Sequence, residues 1–362
     1  MRALPVFLVL ALAACSGVVL SPAETTGAPG SDTSTSAPST TATADPAETT
    51  TTVIGPSTTS TLPPESLSIE AYPVPEGSRP HDVAPAADGG IWYTAQASGE
   101  LGWLDPETGE TRHISLEDGA RPHGVIVDAA GTPWITDGGL NNIYSVEPES
   151  GQVTVYPLPD DTPGANLNTA TFDAAGNLWF TGQGGIYGML DLASGETALY
   201  RAPEGPGPYG ITTAPDGTVY FASLAGSYMG RVNDDGTVEV IEPPTPDQGA
   251  RRVWADSTGA IWVSEWNTGN LSRYRPETGE WDTWPLPGES AAAYAVYVDE
   301  SDIVWVSDFG SNSLVRFDPA TETFHAYPLP HHPGEVRQIH GREGEVWGAE
   351  SAADHLVVIR TR

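Results

Sequence analysis

Two histidines in the sequence lie 42 residues apart and share the same neighbours. His81 and His123 each follow an Arg-Pro pair, which begins at Arg79 or Arg121. A neutral imidazole can remove a proton from a substrate near physiological pH, and a guanidinium can hold a carboxylate or polarise a carbonyl. Asp137 follows fourteen residues after His123 and is a candidate metal ligand. We therefore take His81 and His123 as candidate catalytic bases.

These residues belong to a repeat with spacings of 41 to 45 residues between aromatic anchors. Each copy has a hydrophobic run, in most copies an Asp-x-x-Gly turn, and then the anchor. A period of about 40–45 residues with several short alternating strands is typical of a propeller blade. The sequence predicts an all-β, seven-bladed β-propeller over residues 67–362. The anchors, which we expect to pack between blades, are Trp92, Trp134, Trp179, Tyr220, Trp262, Trp305 and Trp347.

The two ends of the repeat region complement each other. The last copy ends at Leu356-Val-Val-Ile-Arg and has no outer strand. Leu67-Ser-Ile-Glu-Ala-Tyr-Pro-Val-Pro has the outer-strand pattern and no blade of its own. We expect this N-terminal strand to complete blade seven and so remove exposed sheet edges.

Candidate binding residues lie at the starts of the predicted inner strands, which surround one mouth of a propeller channel. We define the ring position as the residue eleven before each anchor, which gives Val336 in blade seven. We assign substrate binding to arginines and tyrosines at or beside this position. They are Arg79, Arg121, Tyr209, Arg251, Arg252, Tyr294 and Arg337.

Acidic residues three positions after the anchor allow a second interpretation of the arginines. Asp137, Glu265, Asp308 and Glu350 occupy this position. The arginines would then neutralise these acids as structural ion pairs between blades, which are common in proteins. In the first interpretation the arginines instead line a pocket for a carboxylate or carbonyl. The sequence leaves both open.

Residues 1–15 have the pattern of an export signal. Arg2 precedes an apolar run that is too short to span a membrane as a helix. The run ends in Leu12-Ala-Ala-Cys, which resembles a bacterial lipobox, and Cys15 is the single cysteine of the chain. We expect lipidation of Cys15 and attachment to the extracytoplasmic face of the cell membrane.

Residues 16–66 contain no aromatic residue and are rich in Thr, Ser and Pro. Such a segment cannot bury enough apolar area to become ordered, so we expect a disordered tether. The formal net charge of the chain is −33 and all 15 basic residues are arginine. This charge repels phosphate and argues against nucleic acid as a partner. We expect a monomer whose partners are the membrane and a small molecule or peptide at the channel mouth.

Several phrases of the repeat resemble blades of the virginiamycin B lyase (streptogramin lyase) family. Examples are Ala120-Arg-Pro-His-Gly-Val, Gly259-Ala-Ile-Trp-Val-Ser-Glu-Trp and Tyr156-Pro-Leu-Pro. The resemblance covers residues 67–362 and implies a seven-bladed propeller. It also implies a carbon–oxygen lyase that uses magnesium to open the ester ring of a cyclic depsipeptide by elimination. A base would remove a proton beside a carbonyl, and the metal would take up the developing negative charge.

The residues that the resemblance implies are only partly present. The family has a His at the ring position of blade six, Glu-x-His at that of blade seven, and a second Glu fourteen residues later. By the count from the anchors, this chain has Tyr294, Gly334 and Val336 at the first three places. Glu350 alone matches, as a magnesium ligand.

Blades one and two contain a partial copy of the same arrangement. We therefore expect a displaced site formed by His81, Arg121, His123 and Asp137. An arginine is no metal ligand, but Arg121 can itself polarise a carbonyl, so this site could work with or without a metal.

Two functions follow from these observations. The first is a carbon–oxygen lyase at the cell surface that acts on an ester or depsipeptide. The second is a non-catalytic, extracytoplasmic binding propeller with a degenerate lyase site. A calcium-dependent, lactonase-like propeller is less well supported, because no oxygen-rich channel site is evident in the sequence.

Overall fold

The computed structural model describes residues 62–160, 162 and 164–362. The predicted signal segment with Cys15, and the predicted tether up to residue 61, lie outside the described residues. The described part forms seven four-stranded antiparallel sheets and one short 3-10 turn at Pro64–Ser66. The prediction of an all-β, seven-bladed propeller is confirmed. Within this part of the chain, no helix has the length and apolarity needed to cross a membrane.

The strands follow one another with short turns, and all but the first belong to blades in chain order. The strands are β1 (Ile69–Pro73), β2 (Pro80–Pro85), β3 (Ile91–Ala95), β4 (Glu100–Leu104), β5 (Thr111–Ser115), β6 (Pro122–Val127), β7 (Pro133–Asp137), β8 (Asn142–Val146), β9 (Val153–Pro157), β10 (Leu167–Phe172), β11 (Leu178–Gly182), β12 (Ile186–Leu190), β13 (Thr197–Arg201), β14 (Pro208–Thr213), β15 (Val219–Ser223), β16 (Tyr228–Val232), β17 (Val238–Ile241), β18 (Ala250–Ala255), β19 (Ile261–Glu265), β20 (Asn270–Arg275), β21 (Glu280–Pro285), β22 (Ala293–Val298), β23 (Val304–Asp308), β24 (Ser313–Asp318), β25 (Thr323–Pro328), β26 (Val336–Arg342), β27 (Glu345–Glu350) and β28 (His355–Arg360).

Blade seven combines strands from both ends of the described chain. Its strand order is β26-β27-β28-β1, and β1 runs antiparallel to β28 with Tyr72 opposite Leu356. The inner strands of adjacent blades contact each other around the ring, including β2 of blade one with β26 of blade seven. The circle of sheets is therefore continuous.

The Asp of the recurring turn fixes both the turn and the anchor. One carboxylate oxygen of Asp128 accepts two backbone N–H groups of the turn, and the other accepts the indole N–H of Trp134 at 2.9 Å. Blades three, five and six contain the same bond. Trp92 packs against Val125 and Ile135 of the next blade, as predicted for the anchors.

A hydroxyl two residues after the anchor connects neighbouring blades at the ring position. Thr94 Oγ1 accepts the N–H of Asp82 in its own blade at 3.0 Å and donates to the carbonyl of His123 in the next blade at 2.9 Å. Ser264 connects blades five and six in the same way. Each inner strand also has a register shift against its neighbour at this height. Such a bulge re-aims side chains toward the channel.

We expect Thr94→Val to destabilise the protein by about 1–3 kcal/mol, because it leaves the buried N–H of Asp82 and the carbonyl of His123 without a partner. Thr321→Val, at an exposed turn, is the matched control and should change stability by less than ~0.5 kcal/mol. Urea unfolding of both variants measures the difference. Equal stabilities would contradict the role given to this hydroxyl.

Candidate functional site

The ring residue of blade seven is Arg337, and its assignment to Val336 was wrong. In blade one, the residue before His81 lies opposite the third residue after the anchor. In blade seven this place is taken by Val336, opposite Glu350, so the next residue is the ring residue. The hairpin between β26 and β27 closes at Glu343-Gly344 and is one residue shorter than its counterparts, which explains the error.

This register changes how blade seven compares with the pattern of the family. Glu335 precedes Arg337 by two residues and so stands where the first glutamate is expected. Glu350 keeps the place of the second glutamate. Both glutamates are thus present, whereas Tyr294 and Arg337 stand where the two histidines are expected.

Seven of the predicted site residues line one cavity of about 360 Å³ at the channel mouth. Most of these residues occupy ring positions, and one glycine and three side-chain amides from the neighbouring loops complete the wall. The lining consists of His81, Gln96, Arg121, His123, Gly138, Asn166, Gln183, Tyr209, Arg251, Tyr294 and Arg337.

A buried carboxylate holds His81 in one tautomer. His81 Nδ1 lies 2.8 Å from Asp82 Oδ1, and Arg252 donates to the same oxygen from across the channel at 2.9 Å. Arg252 also donates to Thr169 Oγ1 at 2.5 Å. Because an ionised carboxylate can only accept hydrogen bonds, the Nδ1 of His81 carries the proton. The lone pair of His81 then lies on Nε2, which has no hydrogen-bond partner among the described residues.

His123 is held against His81 in the same tautomer, but a different atom of its ring is engaged. The two imidazole rings have centroids 3.8 Å apart. Asn168 accepts from Thr169 through Oδ1, so its Nδ2 donates to His123 Nε2 at 3.1 Å. His123 Nδ1 therefore carries the proton, and this buried atom has no partner among the described residues. His123 Nδ1 is therefore a free hydrogen-bond donor next to His81, whose Nε2 is a free acceptor.

Both histidines are uncharged at neutral pH. Burial lowers the pKa of His81 well below its usual range, and the nearby charge of Arg252 lowers it further. Burial also lowers the pKa of His123, and His81 adds to this effect. For Asp82, burial raises the pKa although Arg252 opposes the shift. Both imidazoles are therefore neutral at rest, and Nε2 of His81 can accept a proton.

Arginine and tyrosine side chains form the other wall of the cavity. The Arg251 guanidinium lies 3.6 Å from the ring centroid of Tyr294 and 4.7 Å from that of Tyr209. The two tyrosine hydroxyls are 2.6 Å apart. Burial favours the neutral form of Tyr209, but the charges of Arg251 and Arg252 outweigh it and lower its pKa. This wall is positively charged in an otherwise acidic protein.

Two of the predicted arginines lie outside the cavity lining. Arg79 is exposed and lies 3.9 Å from Glu335, which also binds Arg337 at 2.5 Å. Arg252 is buried on Asp82, as described above. Arg252 thus orients Asp82 and Thr169 and does not itself line the cavity.

The acids after the anchors accept hydrogen bonds from nearby loops, and the interpretation of them as ion-pair partners of the arginines is wrong. Asp137 accepts backbone N–H groups from Arg121, Gly139 and Leu140. Among the described residues, no arginine forms an ion pair with Asp137 or its counterparts in blades five to seven. The group of candidate ligand atoms around His123 contains Asp82 instead of Asp137. The predicted site of His81, Arg121, His123 and Asp137 is therefore wrong in its acidic residue, because Asp82 lies beside the histidines in place of Asp137.

The cavity does not suit magnesium, which prefers several oxygen ligands. The carboxylate of Asp82 is already bound to Arg252, Glu335 is bound to Arg337, and Glu350 is bound to His331 at 2.6 Å. The places of the two expected histidines hold a phenol and a guanidinium. We therefore derive no step through magnesium.

Sequence reasoning missed Asp82 and Asn168. Asp82 and Arg252 each directly follow a ring residue, in blades one and five, and they are opposite charges at the same height. In a narrow channel such charges meet across the axis, so comparing this position among all blades would have shown the pair. Asn168 is itself a ring residue, and its uncharged side chain gave no reason to select it.

A model of the virginiamycin B lyase family matches residues 131–362. The chain belongs to this family. A streptogramin B lyase structure is 24% identical with a TM-score of 0.75, over 82% of this chain and 98% of that one. Virginiamycin B lyase from Staphylococcus aureus is 19% identical, also with a TM-score of 0.75, over 81% of this chain and 99% of that one.

A catalytically inactive virginiamycin B lyase from Staphylococcus aureus with quinupristin is 20% identical, with a TM-score of 0.75, over 81% of this chain and 99% of that one. At these identities the three structures show the shared propeller fold. No curated protein matches the chain.

We expect stability to fall with acidification below pH 6.5, because unfolding lets His81 and His123 take up protons that the folded state excludes. Each such histidine contributes up to about 1.4 kcal/mol per pH unit below the unfolded pKa. Between pH 6.5 and 5.5, His123→Asn should flatten this decline, and His325→Asn on β25 should not. Urea unfolding at both pH values measures the slopes, and equal slopes for the three proteins would contradict burial of neutral His123.

Proposed function

We propose that the protein is a carbon–oxygen lyase that opens an ester or depsipeptide by elimination without a metal ion. The observation that carries this proposal is the buried Asp82–His81 pair, whose imidazole offers a lone pair to a cationic cavity. Membership of the virginiamycin B lyase family supports the reaction type. The altered residues of blades six and seven support a different way of stabilising charge.

His81 would act as the general base. Asp82 fixes its tautomer and orientation, as a carboxylate does in a His–Asp pair of a hydrolase. Its low pKa keeps it unprotonated, and the adjacent carboxylate stabilises the imidazolium that forms on proton transfer. His123, with its unpaired Nδ1 proton, would donate a hydrogen bond to a substrate carbonyl.

In the proposed step, His81 Nε2 removes the proton from the carbon beside a carbonyl. The electron pair of that C–H bond forms a double bond to the next carbon, and the bond from that carbon to the ester oxygen breaks. The leaving group departs as a carboxylate with the bonding pair. Arg251 and Arg337 lie where their guanidinium groups would hold this carboxylate.

The proposed cellular context rests on the N-terminal sequence. We propose that Cys15 is lipidated and that residues 16–66 tether the propeller to the extracytoplasmic face of the membrane. The substrate would then be a molecule that reaches the cell surface from outside. The propeller would act there as a monomer.

The full-length chain incubated with a streptogramin B should give a linear product of the same mass as the substrate, because elimination adds no atoms. Hydrolysis would add the mass of one water. Chromatography with mass spectrometry separates these outcomes, and a chelator should leave the rate unchanged. His81→Ala should lower the rate by at least ~100-fold, whereas His113→Ala, on β5, is the matched control.

A substrate that binds without conversion would contradict the lyase and favour the binding propeller. Loss of activity with chelator would contradict the metal-free mechanism.

We expect Arg251→Gln to lower kcat by about 100-fold, since it removes a cation that faces the leaving carboxylate. Arg112→Gln is the matched control. It makes the same substitution at an arginine of blade one whose guanidinium packs on Trp103. Steady-state kinetics of both variants measure the effect. If the two variants behave alike, Arg251 has no part in the reaction.

A further inference from the structure

We propose that blade seven holds a second site, which binds a divalent transition metal such as Zn²⁺ through His331, Glu350 and His355. One ligand atom of each residue lies within 4.8 Å of the other two. None of the three lines the channel cavity. The two histidines lie outside the residues that the family resemblance implies, and the site does not depend on the proposed lyase reaction.

Hydrogen bonds prepare the side chains for a metal. His355 Nδ1 donates to the carbonyl of Ala353 at 2.7 Å, so the lone pair of this imidazole lies on Nε2. Metal-bound histidines in proteins are commonly oriented by this kind of bond. His331 Nδ1 lies 2.6 Å from Glu350 Oε2, and the rings of His331 and His355 have centroids 3.9 Å apart. The potential ligand atoms of the three side chains thus lie close together.

The loop that carries His331 is fixed on both sides. The side-chain amide of Asn312 donates to the carbonyl of His331 at 2.8 Å, and its oxygen accepts the N–H of Gly334 at 2.8 Å. The N–H of His331 also donates to Glu350 Oε1 at 3.3 Å. Little ordering of the chain would therefore oppose metal binding.

The charge at this place favours a cation. The carboxylate of Glu350 is fully buried, and its partner among the described ion pairs is the imidazole of His331. A buried carboxylate without a cation is costly. Two imidazole nitrogens and one carboxylate oxygen form a donor set typical of zinc.

The site is also open and of suitable size. The His331 side chain is 36% exposed, which gives an ion a path from solvent. Tetrahedral bonds of about 2.0–2.1 Å separate the ligand atoms by about 3.3 Å, within the spacing present here. A water would fill the fourth position.

The test is a calorimetric titration of the full-length, chelator-treated chain with Zn²⁺ at pH 7.5. We expect one Zn²⁺ to bind per chain, at the blade-seven site. His355→Ala and the nearly isosteric Glu350→Gln should each weaken binding roughly tenfold or more, and His325→Ala should not. Unfolding midpoints of the metal-free proteins verify that the variants fold. Zn²⁺ should raise the midpoint of the wild type and of His325→Ala, and not that of His355→Ala or Glu350→Gln.

A His81→Ala/His123→Ala double variant separates this site from the other histidine group of the structure. Retained high-affinity Zn²⁺ binding in this variant supports the proposal. Loss of binding there, unchanged affinity in His355→Ala and Glu350→Gln, or no binding to the wild type would overturn it.

Discussion

Seven sheets can surround one axis only if their inner strands approach closely, and buried hydroxyls set this approach. Thr94 and Ser264 each bind an N–H of their own inner strand and the carbonyl of the next ring residue. In blade four the corresponding residue is Ala222, which has no hydroxyl. There Gly210 lets the backbones meet, since a Cβ would lie 2.6 Å from the Cα of Arg252. These contacts set the position of the ring side chains in the blades that have them.

The narrow channel that results makes charge the deciding property of the site. Asp82 and Arg252 are almost fully buried, so they must pair, and a lone member of the pair would be costly. Their pairing orients His81, while burial and, after it, the charge of Arg252 lower the pKa of His81. The same confinement gathers Arg251 and Arg337 around two tyrosines. A cationic cavity follows from residues that are scattered over five blades.

Blade seven shows how a small change in a turn alters a site. Its hairpin is one residue shorter than the others, which moves Arg337 to the ring position and brings Glu335 into register with the family pattern. Counting from Trp347 could not reveal this, because the shortening affects only one side of the anchor. The anchors of the other blades gave the correct ring residues, since their hairpins share one length.

The sequence alone determined the number of blades, the anchors, the ring residues of blades one to six and the presence of arginine at the channel mouth. These follow from local patterns that recur along the chain, such as the turn that joins Asp128 to Trp134. Only the tertiary structure decided which acid serves the histidines. Asp137 binds the backbone of its own loop, and Asp82 meets His81 and Arg252. The partners of a buried charge depend on distances across the channel, which spacing within one blade does not contain.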